Sequence, residues 1–89
     1  MVLQQSIGGV MVKEGTIGNV KDGKADGVCH YRLKAYDEPS EYGINGGKIS
    51  KLLIQKNGVT TCNYDRGWDI EPKDELSKMA LCILLYEYN

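Results

Sequence analysis

The sequence predicts an α+β domain, an antiparallel β-meander of about four strands with one C-terminal helix packed on a face. Three observations carry this reading. The stretch "VCHYRLKAY" (28–36) alternates side-chain character at every step, the period of a half-buried strand. Asn57-Gly58 separates two strand-like runs and matches a two-residue type I′ hairpin turn. The run "MALCILLY" (79–86) carries no charge over eight positions and follows a helix-start pattern.

Taken in order, "VMVKEGTIGNV" (10–20) mixes β-branched residues with glycine and reads as the first strand. "KDGKADG" (21–27) holds two Asp-Gly steps, which supply the positive φ of tight turns. In the next strand Cys29, Tyr31, Leu33 and Ala35 face one side, while His30, Arg32, Lys34 and Tyr36 face a wet, basic one. "DEPSEYGINGG" (37–47) is a polar loop in which Asn45, Gly46 or Gly47 must turn left-handed. "KISKLLIQK" (48–56) resumes as a strand with Ser50, Leu52 and Ile54 inward and Ile49 and Leu53 on the other face. "VTTCNY" (59–64) returns from the hairpin.

The helix is expected to begin at Pro72, whose missing N–H costs nothing in the first turn, with Asp74 and Glu75 favouring the dipole. Its uncharged run suggests two stripes, one near Leu76, Ala80, Ile83 and Glu87, the other through Met79, Cys82 and Tyr86. A monomeric sheet covers only one. The other is expected to be buried by the N-terminal segment or by a second copy, so a homo-oligomer through this helix is anticipated.

The bulk numbers bound the function. The chain of 89 residues forms one domain (1–89), small enough that its core is thin. Eleven basic and twelve acidic residues give a net charge of −1, which lacks the overall basic bias of many nucleic-acid binders. Three widely spaced cysteines without a C-x-x-C pair read as reduced thiols, and the first ten residues have no signal-peptide character. No run approaches the roughly 20 apolar residues of a membrane span. A cytoplasmic protein without membrane contact is expected.

Chemistry is thinly represented. Cys29 and His30 are adjacent in a strand and point to opposite faces, so they cannot easily share a metal with Cys62. The single histidine lies on the exposed strand face, where no nucleophile elbow accompanies it. Carboxylates for hydrolysis would have to come from Asp37, Glu38, Glu41, Asp65 and Asp69, residues at home in turns. "GINGG" lacks Walker spacing and precedes a strand. The expectation is no enzyme, no metal and no cofactor.

Two binding surfaces remain. "NYDRGWDIEP" (63–72) gathers Asp65, Arg66, Gly67, Trp68 and Asp69 where the last strand must turn into the helix. In one reading it is a corner, with Asp69 or Glu71 capping the helix, Arg66 paired to a carboxylate and Trp68 filling the sheet–helix gap. In the other, Arg66 and Trp68 anchor a protein partner, with Asp65, Glu41 and Lys48 beside them. A second surface, Arg32, Lys34, Tyr36 and Lys48, suits an anion, a nucleotide or nucleic acid.

Three stretches, "KEGTIGN" (13–19), "YDEPSEYGINGGKISKL" (36–52) and "NYDRGWDIEP" (63–72), resemble a family of small uncharacterised proteins of Gram-positive bacteria, phages and mobile elements. The shared positions are Gly43, Gly47 to Leu52, and the Tyr-Asp-Arg-Gly-Trp-Asp signature at Tyr64 to Asp69. The resemblance runs from about Met11 to the end; residues 1–10 and the "VKDGKADG" loop depart from it. It transfers no catalytic residue. It implies an accessory protein that acts stoichiometrically on a macromolecular partner, with inhibition of host defence as its most concrete form.

Overall fold

The computed structural model describes residues 9–21 and 24–89. Five strands, β1 (Val10–Lys21), β2 (Lys24–Tyr36), β3 (Ile49–Lys56), β4 (Val59–Asp65) and β5 (Trp68–Ile70), precede one helix, α1 (Glu75–Tyr88). The sheet is an antiparallel meander in the order β1-β2-β3-β4-β5, so the expected architecture holds with one short strand added at the edge. The β3–β4 hairpin turns as its sequence demands, with Asn57 at φ 54° and Gly58 at φ 77°, the two positive angles of a type I′ turn.

Helix α1 covers one face. Cys29, Leu33 and Ala35 of β2, Leu52 and Ile54 of β3, and Cys62 and Tyr64 of β4 meet Leu76, Ala80 and Leu84 of the helix in one core. Burying a leucine such as Leu52 or Leu84 contributes roughly 1.5–3 kcal/mol. Met11 and Ile17 of β1 pack at its edge with Leu81, Leu85 and Tyr88. Burial pushes the Cys62 thiol up to about 11, so it stays protonated as a small apolar side chain. Ser77 is the buried polar group at the helix start, and its hydroxyl lies 2.6 Å from that of Thr61.

Several expectations are corrected here. The helix begins at Glu75, not Pro72, because Asp74 takes the cap and accepts the Ser77 N–H at 2.9 Å. Neither Asp69 nor Glu71 caps it, and Asp69 instead accepts from Asn63. Ile49 lies in the core rather than on the opposite face. Lys34 pairs with Lys51 and Ala35 with Ile49, so Ser50 is an extra residue in β3 and the alternation breaks there.

The helix stripes also differ. Leu76, Ser77, Ala80 and Leu84 form the buried row, Met79 is half-buried, and Cys82, Ile83, Tyr86 and Glu87 are exposed, Tyr86 at 92%. The N-terminal segment invoked to cover the second stripe lies outside the described residues.

Helix α1 ends against the sheet through Asn89. Its side chain donates to the Ile44 carbonyl and accepts the Ile49 N–H, both at 3.0 Å. Ile44 belongs to a single 3-10 turn (Ile44–Gly46) whose Asn45 and Gly46 take φ 54° and 70°. Gly47 is required for this seat, since a Cβ there would stand 2.3 Å from the Asn89 amide.

Candidate functional site

The face of the sheet opposite the helix carries His30, Arg32, Lys34 and Tyr36, as the alternation of β2 predicted, and these stand on the side turned away from the core. Next to them β3 contributes Lys51 and Leu53 through the Lys34–Lys51 and Arg32–Leu53 pairs. At the β2–β3 end this face is hollowed into a groove of about 720 Å³, open to solvent. Lys34, Lys51 and Ser50 line it from the sheet, Asp37, Glu38, Ser40 and Tyr42 from the following loop, and Asp65 and Arg66 from the β4–β5 corner.

The walls are fixed by backbone bonds. The Tyr64 hydroxyl donates to the Tyr42 carbonyl at 2.8 Å, and Ser40 Oγ accepts the Tyr42 N–H at 3.2 Å, which holds the loop. The Asp37 N–H donates to Gly9 at 2.8 Å, closing the far end. The Arg66 N–H donates to the Ser50 carbonyl at 3.0 Å and the Asp65 N–H to Gly67 at 2.9 Å. The corner is thereby tied to the bulge in β3, and the shift that drops Ile49 into the core also sets Ser50 in the groove.

Charge in the groove is uneven. Lys34 and Lys51 are direct cross-strand neighbours, an unfavourable like-charge pairing. Lys51 leans to Asp65 at 3.9 Å, and Lys34 lies 5.6 Å from the Tyr36 ring centre. Arg66 lines the groove with no ion pair among the described residues, and the same holds for Asp37 and Glu38. The expected Arg66–carboxylate pair is therefore absent there; its neighbour Asp65 serves Lys51 instead.

Arg66 also holds a left-handed backbone, φ 59°. That conformation costs a non-glycine residue roughly 1–2 kcal/mol. Trp68 does not fill the sheet–helix gap. It stands opposite Tyr64 with 39% of its surface exposed and its ring edge-on at 5.1 Å between centroids.

The two surfaces read from the sequence thus merge in part. Asp65 and Arg66 from one, and Lys34 and Tyr36 from the other, line the same groove. Four others stand apart from it. Arg32 lies farther along β2 with Glu14 at 3.7 Å, Glu41 is exposed on the loop, Lys48 is half-buried, and Trp68 sits at the sheet edge. Lys51, Tyr42, Ser40 and Ser50 were not singled out as site residues. The β2–β3 register and its bulge place Lys51 and Ser50, and the loop's bonds to Tyr64 and within itself place Tyr42 and Ser40.

Fold and groove together define a small α+β domain with a helix-backed sheet and an open, charge-bearing surface. The chain belongs to a family described as a domain of unknown function (DUF7678), whose model matches residues 11–89. No curated protein and no solved structure matches it. Among the described residues no helix is long and apolar enough to cross a membrane, and no three His, Cys, Asp or Glu side chains are grouped to hold a metal ion.

Proposed function

We propose that this chain is a non-catalytic binding module that acts stoichiometrically on a protein partner through the groove. The observation that supports the reading is Arg66. It is a cation without an ionic partner among the described residues, on a backbone geometry that glycine or asparagine would hold at lower cost, at the rim of a preformed groove. Arginine and tyrosine dominate the anchoring positions of protein interfaces, and Tyr36 and Tyr42 stand exposed in the same groove. The three free cysteines support a cytosolic setting, and an origin in a phage or mobile element is what the family resemblance implies. Inhibition of a host-defence component is its most specific form.

The test is capture of a partner from a Gram-positive bacterial lysate by the intact chain, beside an Arg66→Ala/Tyr42→Ala variant. The expected result is one band lost with the groove variant and retained with Glu75→Ala, an exposed residue at the start of the helix outside the groove. Equal capture by both variants would remove the groove reading.

The alternative is a nucleic-acid or nucleotide site on the basic strand face. Arg32 and Lys51 each face a carboxylate there, so less free positive charge remains than the sequence suggested. Nucleic-acid binding would weaken steeply with salt through counterion release and would fail in Arg32→Glu/Lys34→Glu. Self-association through α1 is proposed on the exposed Cys82, Ile83 and Tyr86. Sedimentation should then give a species larger than the 9.9 kDa chain that reverts to monomer in Tyr86→Glu.

A further inference from the structure

We propose that the groove takes a peptide segment of the partner which presents a carboxylate to Arg66 and Lys34 and, farther along, a cation to Asp37 and Glu38. The inference rests on the groove being the binding surface, and it names what that surface recognises. The division of charge carries it. On the sheet and corner side the groove sets Lys34 directly against Lys51 with Arg66 beside them, and among the described residues Asp65 pairs with Lys51 alone. An incoming carboxylate relieves that repulsion and meets a guanidinium able to bind it through two parallel N–H bonds.

On the loop side, where Gly9 holds Asp37, the groups without an ion pair among the described residues are carboxylates. A nucleic-acid backbone has one sign along its whole length and would meet repulsion at Asp37 and Glu38. A polypeptide alternates sign freely and brings its own backbone donors and acceptors to Ser40 and Ser50. The volume of about 720 Å³ falls among ordinary ligand clefts, and its open side leaves a path for a chain to continue past either end.

Arg66 supplies the independent observation. At φ 59° an asparagine would hold the turn with less strain, so a purely structural Arg66 would be improved by that change. Arg66→Asn should raise the melting temperature while weakening peptide binding by at least about tenfold.

The experiment is selection of short random peptides displayed on phage against the full chain, against Arg66→Glu, and against Asp37→Lys/Glu38→Lys. Wild type should enrich peptides carrying an acidic and a basic residue at a fixed spacing. Arg66→Glu should replace the acidic preference by a basic one and leave the other end unchanged, and the double variant should do the converse. Enrichment that ignores these reversals would overturn the proposal, as would an unweakened Arg66→Asn or a single-stranded oligonucleotide that displaces the selected peptides. Loss of partner capture in Arg66→Ala/Tyr42→Ala with an unchanged consensus in the swaps would leave the groove as the site and reject its charge code. Retained capture would reject the groove itself.

Discussion

The two turns that flank β4 each hold a non-glycine residue in the left-handed region, and they use different residues for it. Between β3 and β4, Asn57 takes φ 54° beside Gly58 at 77°, and asparagine is among the residues that tolerate this region best. Between β4 and β5, Arg66 alone takes a positive angle, φ 59°, and Gly67 beside it does not. The first turn is solvent-exposed and lies outside the groove; the second lines it. A long cationic side chain at a left-handed position is poor turn chemistry, and it stands where two strands and a loop converge. The contrast separates a turn selected for closing a hairpin from one that also presents a side chain.

The largest effect expected from breaking this comparison lies at the first turn. Gly58→Val places a β-branched residue at φ 77°, and no atom lies within 4 Å of the new Cβ, so the cost is in the backbone alone. A loss of about 2 kcal/mol is expected in urea unfolding. Stability unchanged by this substitution would show that the hairpin does not set the β3–β4 register.

Next comes the exit from the second turn. Asp74→Ala should cost about 1 kcal/mol by removing the cap, whereas Asp69→Ala should stay within about 0.5 kcal/mol. Partial burial alone would raise the Asp74 carboxyl. The Ser77 N–H and hydroxyl, with the Lys56 charge 3.5 Å away, outweigh it and hold the pKa below its ordinary 3.8. A lowered folded-state pKa means this contribution is complete above the unfolded value and lost as pH falls through the folded one. Wild type and Asp74→Ala should therefore converge in stability as pH falls below 3.8 and through the lowered folded-state value. A gap that persists there would assign the effect to something other than the carboxylate.

Arg66→Asn should stabilise the fold by about 0.5 kcal/mol, the opposite sign from most substitutions. Differential scanning calorimetry reads it, and a destabilisation would mean that Arg66 is held by contacts within the fold. The smallest effect belongs to Asn57→Gly, within a few tenths of a kcal/mol of wild type because both residues accept the turn.

Much of the fold was legible in the sequence because its signals are local. The alternation of β2 and the Asn57-Gly58 turn each depend on a few neighbouring residues, and both are found as read. The bulge at Ser50 was not legible. A period-two reading assumes an unbroken ladder, and this one is broken by long-range bonds to Asn89 and Arg66. The helix stripes were misassigned because eight uncharged positions give the 3.6-residue period no polar marker to fix its phase. Pro72 drew the start of the helix too early, since its fixed φ also suits the extended segment before a cap.

The site was legible in its parts but not in its assembly. Asp65 with Arg66, and Lys34 with Tyr36, were each marked by residue type, yet they read as two surfaces. Only the meander's register places Lys51 between them, and no local pattern encodes that register.

Asn89 gives α1 a task that its side-chain packing alone does not reveal. The helix is held at both ends by polar contacts to the sheet: Asp74 and Ser77 meet Lys56 and Thr61 at one, and Asn89 meets Ile44 and Ile49 at the other. Between Asp74 and Asn89 it behaves as a strut of set length, about 22 Å at 1.5 Å per residue. Substitution on its outward face leaves this measure unchanged, but inserting or deleting a residue would swing Asn89 about 100° around the axis and empty the seat beside Gly47. The fold's demand on this helix is thus for length, and the mouth of the groove at Ser50, three residues past Gly47, depends on that measure.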